Sequence, residues 1–218
     1  MLRAIASCFT LCLAAPAPAC ETALLLAMDV SNSIDTGEYK IQSEGLALAL
    51  ADPAIASILV QDRVAIAVLQ WAGQDRQHLS IGWTQIRDDS DVAALAARAV
   101  SMERAFILSD TAPGSALHGA IDSFATAPDC KRRVIDVSGD GTPNSGSPTA
   151  GARTRAEREG ITVNGLAIEA PGHGLAITNF YSRSLITRNG FVITSRGHRA
   201  FAETLRRKML REISRVTG

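Results

Sequence analysis

From Thr22 onward the chain alternates between short apolar runs and longer amphipathic stretches. The runs Ala23–Met28, Arg63–Gln70, His78–Trp83, Val134–Val137, Thr162–Ile168 and Phe191–Ile193 predict strands. Several are continuous runs of Val, Ile, Leu and Ala, as expected for central strands covered on both faces. Helices are predicted between them, near Gly37–Asp52, Asp89–Ser101, Ser115–Thr126, Pro148–Glu159 and Arg199–Val216. Leu117, Ile121 and Phe124 fall on one helical face, as do Phe201, Leu205, Met209 and Ile213. Pro53 and Gly160 read as helix stops. This alternation predicts a doubly wound α/β domain: a mostly parallel six-stranded sheet with helices on both faces. The short Trp71–Gln77 link makes Arg63–Gln70 and His78–Trp83 a hairpin, so one edge strand runs antiparallel. There is no fixed-period repeat and no low-complexity linker.

The first 19 residues stand apart from this pattern. Met1-Leu2-Arg3 is a short basic start, Ala4–Ala15 is apolar but too short to span a bilayer, and Ala17-Pro18-Ala19 is a small-x-small cleavage site. Together they predict a secretory signal peptide of bacterial type. The expected product is a single exported domain, residues 20–218, with no transmembrane segment. Losing Arg3 leaves 21 basic against 22 acidic residues, so no broad basic field for nucleic acid is expected. Lys131-Arg132-Arg133 reads as the solvated start of a strand. Cys8 and Cys12 would leave with the signal peptide, and Cys20 and Cys130 would remain. An oxidising compartment favours pairing them. The alternative is lipidation of Cys20, against which stands the absence of the Leu usual three residues before such a cysteine.

The chemistry concentrates at strand ends. Asp29-Val30-Ser31-Asn32-Ser33 follows the first apolar run, so an acid and two hydroxyls arrive where a buried strand stops. Thr111 stands just before the Leu117 helix, and Asp140 closes Val134-Ile135-Asp136-Val137-Ser138-Gly139-Asp140-Gly141. In open α/β sheets ligands bind beyond the carboxyl ends of strands. Two acids and three hydroxyls from three loops on that rim form an oxygen set suited to a hard divalent cation. Each piece also has an ordinary structural reading, since Ser and Thr cap helices and Asp-Gly makes turns.

These three elements resemble the von Willebrand factor type A domain: D-x-S-x-S after the first strand, T-x-x-G-x-A-L opening a middle helix, and Asp-Gly closing the fourth strand. The resemblance spans the mature chain and extends to an uncharacterised exported bacterial branch in which Arg-Val-Ile-Asp-Val-Ser-Gly-Asp-Gly recurs. It implies a metal-ion-dependent adhesion site with Asp29, Ser31 and Ser33 as first-loop ligands. Thr111 would be the second-loop ligand, and Asp140 an acid that ligates directly or through water. The implied cofactor is Mg²⁺, or Mn²⁺ or Ca²⁺, and the implied partner is a protein presenting an Asp or Glu to the cation. Asp110 stands where the family commonly has Gly, and Ser138-Gly139 replaces the usual Thr; neither removes an oxygen ligand. In the family's topology the strands ending at Asp29 and Asp140 are parallel neighbours. Cys20 and Cys130 would then lie in near register at the opposite rim, within disulfide reach.

An enzyme reading is weaker. Asp136 and Asp140-Gly141-Thr142 resemble the D-x-D-G-T pattern of aspartyl-phosphate phosphatases, yet Ser138 occupies the nucleophile's place. There is no G-x-S-x-G elbow and no zinc-spaced histidine pair. His78, His118, His173 and His198 are scattered and read as surface or packing residues; Trp71 and Trp83 read as core or rim packing.

Overall fold

Strand β1 (Cys20–Asp29) is the centre from which the fold is built. Leu24, Leu26 and Met28 project to one face, while Leu25 and Ala27 project to the other, and all five are buried. A strand apolar on both sides requires cover on both sides, and the rest of the chain supplies it. A computed structural model of the chain describes residues 20–170, 172 and 174–214. The signal-peptide expectation, His173 and the end of the last predicted helix lie outside the described residues.

The strands are β1, β2 (Ala65–Trp71), β3 (Gln77–Gln85), β4 (Cys130–Gly139), β5 (Ile161–Glu169) and β6 (Val192–Arg196). They form one six-stranded sheet in the order β3-β2-β1-β4-β5-β6. Every pairing is parallel except β2 with β3, so the predicted hairpin is the antiparallel edge. Trp71 belongs to β2 rather than to the link, and its buried indole N–H donates to the Ala27 carbonyl at 3.1 Å. Trp83 packs on Phe124 with ring centroids 5.0 Å apart.

Helices α1 (Thr36–Leu50), α2 (Pro53–Gln61), α3 (Asp89–Val100) and α7 (Phe201–Ile213) cover the Leu24 face. Helices α4 (Pro113–Asp122) and α5 (Thr149–Arg158) cover the Leu25 face. The short α6 (Ala176–Phe180) and the π-helical turn Tyr181–Leu185 complete that layer. Two elements depart from the sequence reading. Pro53 does not only end α1: it is the first residue of α2, whose N-cap Asp52 accepts from the Ala54 and Ile55 amides at 2.9 and 3.2 Å. Proline lacks only an amide that the first turn leaves unpaired, so it starts a helix as readily as it stops one. The α6 segment has no apolar pattern to announce it, because only Tyr181 and Leu185 are buried among the ten residues of α6 and the turn that follows.

The basic triplet at the start of β4 is not simply solvated. Lys131 pairs with Glu21 at 2.8 Å, and Arg132 donates to the Glu212 carbonyl in the last turn of α7 at 2.7 Å. Arg133 donates to the Glu159 carbonyl at the end of α5. Cationic side chains thus close two helix C-termini, where carbonyls lack intrahelical partners. Cys20 and Cys130 are directly paired in register and joined in a disulfide, with Cα atoms 4.5 Å apart. Among the described residues, no single helix is long and apolar enough to cross a membrane.

Candidate metal centre

The carboxyl ends of β1 and β4 lie side by side, and the loops leaving them bring all five anticipated residues together. Asp29 is fully buried, and its Oδ1 accepts from the Ser31 amide at 2.8 Å, which turns the chain sharply after the strand. The Ser31 hydroxyl lies 3.2 Å from that of Ser33 and accepts from the Thr111 hydroxyl at 3.0 Å. Ser33 in turn donates to Asp140 Oδ1 at 2.6 Å.

Neighbouring backbone holds this set in place. Thr111 is clamped by Asn144, whose Oδ1 accepts from the Thr111 amide at 2.8 Å and whose amide donates to the Thr111 carbonyl at 3.0 Å. The Arg104 guanidinium donates to the carbonyls of Val30 and Ser31, both at 2.9 Å. Its charge is therefore spent on the loop's backbone rather than on Asp29.

The electrostatics single out Asp29. Burial pushes its carboxyl up to about 7, and the nearby Asp140 charge acts in the same direction, while hydrogen bonds from Ser31 oppose it. Its Oδ2 is buried and accepts no hydrogen bond. A buried carboxylate oxygen without donor or cation is costly. Gly139 lets the backbone of β4 pass close beside it: a Cβ built there would stand 2.7 Å from Asp29 Oδ2 and 2.7 Å from the Tyr181 hydroxyl. Only glycine fits. Tyr181 is itself fully buried with an unpartnered hydroxyl, and burial with the surrounding acids holds its phenol well above the usual range.

The donor set fits a small divalent cation. Octahedral Mg²⁺ with bonds of 2.0–2.1 Å has adjacent ligand oxygens about 3 Å apart. The Ser31–Thr111 and Ser31–Ser33 hydroxyl separations of 3.0 and 3.2 Å have that spacing. Two hollows flank the set. One, of about 430 Å³, is bordered by Ser33, Asp110, Thr111 and Asn144, with Leu108 on its edge. The other, of about 450 Å³, is bordered by Asp140, Glu38, His198 and Arg199. Asp110 is exposed and adds its acid to the rim of the first. Ile107 and Leu108 beside it are 68% and 86% exposed.

Sequence reading missed several members of this region. His198 packs at the site's border, with a side chain only 11% exposed and Nε2 3.6 Å from Asp140 Oδ2. Glu38, Asn144, Arg104 and Tyr181 were not singled out either. Glu38 alone carried a local signal, the capping box with Asp35 at the start of α1. The phosphatase-like Asp136 is absent from the site: it is buried on the other face of the sheet, 2.6 Å from Lys208.

A central mostly parallel sheet with one antiparallel edge, helices on both faces and this rim is a von Willebrand A-like fold. The chain belongs to the family described as "Protein of unknown function (DUF1194)", which matches residues 19–217. No curated protein matches it in sequence. Among solved structures it is similar to a von Willebrand factor type A protein from Catenulispora acidiphila, with TM-score 0.63 and 21% identity over 88% of this chain and 43% of that one. It is similar to the PilB minor pilin from Streptococcus sanguinis, with TM-score 0.65 and 14% identity over 92% and 64% of the two chains. It also resembles proximal thread matrix protein 1 from the mussel byssus, solved with a zinc-occupied MIDAS motif, with TM-score 0.59 and 17% identity over 90% and 46%. Identities this low establish the fold alone, and this chain spans only 43%, 64% and 46% of those three chains.

Proposed function

We propose that the protein is an exported, metal-dependent protein-binding module, with residues 1–19 as signal peptide and residues 20–218 as the binding domain. Asp29, Ser31, Ser33, Thr111 and Asp140 would hold Mg²⁺, or Mn²⁺ or Ca²⁺, at the end of β1. Bound there among three neutral hydroxyls and two carboxylates, the cation would retain positive character and offer a position to an Asp or Glu of a partner. Asp29 anchors the set from inside the core, Thr111 is oriented by Asn144, and Ser33 links the first loop to Asp140. The flanking hollows and the exposed Ile107 and Leu108 supply surface for the residues around the partner's acid.

The observation that carries this reading is Asp29: its Oδ2 is buried and unpaired, its Oδ1 braces the Ser31 loop, and the hydroxyls of Ser31, Ser33 and Thr111 stand at the spacing of a coordination shell. The disulfide supports export, because such bonds persist in oxidising compartments. Likeness to a pilin and a byssus protein supports a role in adhesion or assembly rather than turnover. The phosphatase alternative is disfavoured because Asp136 is engaged by Lys208 of α7, away from the strand-end rim.

Thermal unfolding with rising Mg²⁺ tests the site. The wild-type midpoint should rise in proportion to ln(1 + [Mg²⁺]/Kd), and Asp29→Ala should show no rise. An Asp29→Ala protein that responds like wild type would show the assignment to be wrong. Immobilised protein should then retain a binding partner from envelope extract in Mg²⁺ and release it into chelator.

A further inference from the structure

Beside the Asp29 set lies a second convergence of donors, drawn from three other places in the fold. Glu38 sits in the first turn of α1, where its Oε2 accepts from the Asp35 amide at 2.9 Å and leaves Oε1 uncommitted. Asp140 follows β4; its Oδ1 receives the Ser33 hydroxyl, and its Oδ2 faces the other way. His198 opens the short 3₁₀ turn after β6, where Gly197 at φ +81° reverses the chain. Its Nε2 lies 3.5 Å from Glu38 Oε1 and 3.6 Å from Asp140 Oδ2, and all three ligand atoms fall within 4.8 Å of one another.

These separations are too long for good hydrogen bonds. The two that His198 Nε2 makes are close to the edge of a tetrahedron around zinc: bonds of 2.0–2.1 Å set neighbouring ligands about 3.3–3.4 Å apart. Two carboxylates turned toward one imidazole, on an adjoining hollow of about 450 Å³, leave room for an ion and a water. We propose that Glu38 Oε1, Asp140 Oδ2 and His198 Nε2 form a second cation site selective for Zn²⁺-class ions, with Asp140 bridging it to the Asp29 set.

The donor chemistry sets the selectivity. An imidazole nitrogen suits zinc and other late first-row cations, whereas Mg²⁺ and Ca²⁺ take oxygen. The partner of the other ring nitrogen sets the strength. Zinc-binding histidines usually donate their other ring N–H to a carbonyl or carboxylate, but His198 Nδ1 is buried without such a partner. The ion is therefore exchangeable rather than structural. The zinc site stands independently of the proposed function; only its coupling to the first site, through the two oxygens of Asp140, rests on that reading. Such coupling is reciprocal, so each cation changes the other's affinity by one common factor.

Calorimetric Zn²⁺ titration of the disulfide-bonded protein in excess Mg²⁺ tests the proposal, because Mg²⁺ occupies the all-oxygen set first. Wild type should take up one zinc. His198→Ala and Glu38→Gln should each weaken that uptake by at least about tenfold, while His198→Ala keeps its Mg²⁺-dependent rise in unfolding midpoint. Thr111→Val should lose the Mg²⁺ response and keep the zinc. Unchanged zinc uptake in both His198→Ala and Glu38→Gln overturns the site, as does loss of zinc and Mg²⁺ responses together in every variant. A wild type that ignores Mg²⁺ yet binds zinc through His198 would sink the proposed function and leave this site standing.

Discussion

Strand β4 and its exit carry two acids four residues apart, and they meet opposite fates. Asp136 points to the α7 face, where Lys208, itself fully buried, pairs with it at 2.6 Å and also contacts Glu212. Asn164 donates to Glu212 at 2.9 Å, and the Phe191 ring lies 5.3 Å from the Lys208 ammonium. At the strand's end Asp140 stands with Asp29, and there the carboxylates meet a backbone amide, a serine hydroxyl and the edge of His198, with no lysine or arginine among the described residues paired to either. In one cluster the chain supplies its own cation; in the other it supplies neutral oxygens and leaves a deficit of positive charge. The first arrangement fixes a helix to a sheet. The second is chemically incomplete, and incompleteness on a rim is what a binding site requires.

That contrast can be broken most severely at Lys208. Lys208→Met should cost about 3–5 kcal/mol, because two buried acids lose their counter-charge, and denaturant unfolding would measure it. A loss under about 1 kcal/mol would mean that the cluster is not held by its charges. Asp29→Asn should do the reverse. In metal-free protein at pH 8 it should be neutral or stabilising, by on the order of 1–3 kcal/mol, because it removes a buried charge held at unfavourable cost. Destabilisation of metal-free protein would put Asp29 in the same structural class as Asp136.

The most gradual effect is in pH. Burial and the Asp136 charge push Glu212 up to about 7, with Lys208 pulling the other way. The unfolded chain releases this proton near the ordinary value of 4.5, so between about 4.5 and 7 the folded state binds more protons than the unfolded one. Stability then falls as pH rises through that window. Glu212→Gln should flatten the slope, and the difference between the two unfolding curves isolates Glu212 from Asp29 and His198.

Much of this molecule was legible because its signals are local. Apolar runs located all six strands, and Asp29, Ser31 and Ser33 declare themselves within five residues. Thr111 and Asp140 were legible only as residues at the ends of other elements, and the resemblance joined them to the first loop, since 80 residues separate Ser31 from Thr111 and 107 separate Ser33 from Asp140. The disulfide followed from strand register once the neighbours of β1 were known. What stayed hidden depends on side chains arriving from elsewhere. Tyr181 enters from a turn with almost no apolar periodicity, Asn144 from a Ser- and Gly-rich loop, and His198 from a turn between two elements. Arg132 and Arg133 read as solvent-facing because the helix ends they close are 80 and 26 residues away. Pro53 failed for a different reason: the same residue both ends and begins helices, and only the cap Asp52 reveals which.

The disulfide has a mechanical consequence for this rim. Cys20 and Cys130 are cross-strand partners at one end of β1 and β4, and the acids Asp29 and Asp140 lie at or just past the other end. Parallel strands loaded along their length yield by sliding, and a slip of one residue would carry Ser33 away from Asp140. A covalent rivet at the far end removes that degree of freedom. Tension applied at the edge that carries Asp29 and Asp140 is then borne by the ladder as a whole, with both acids still in step.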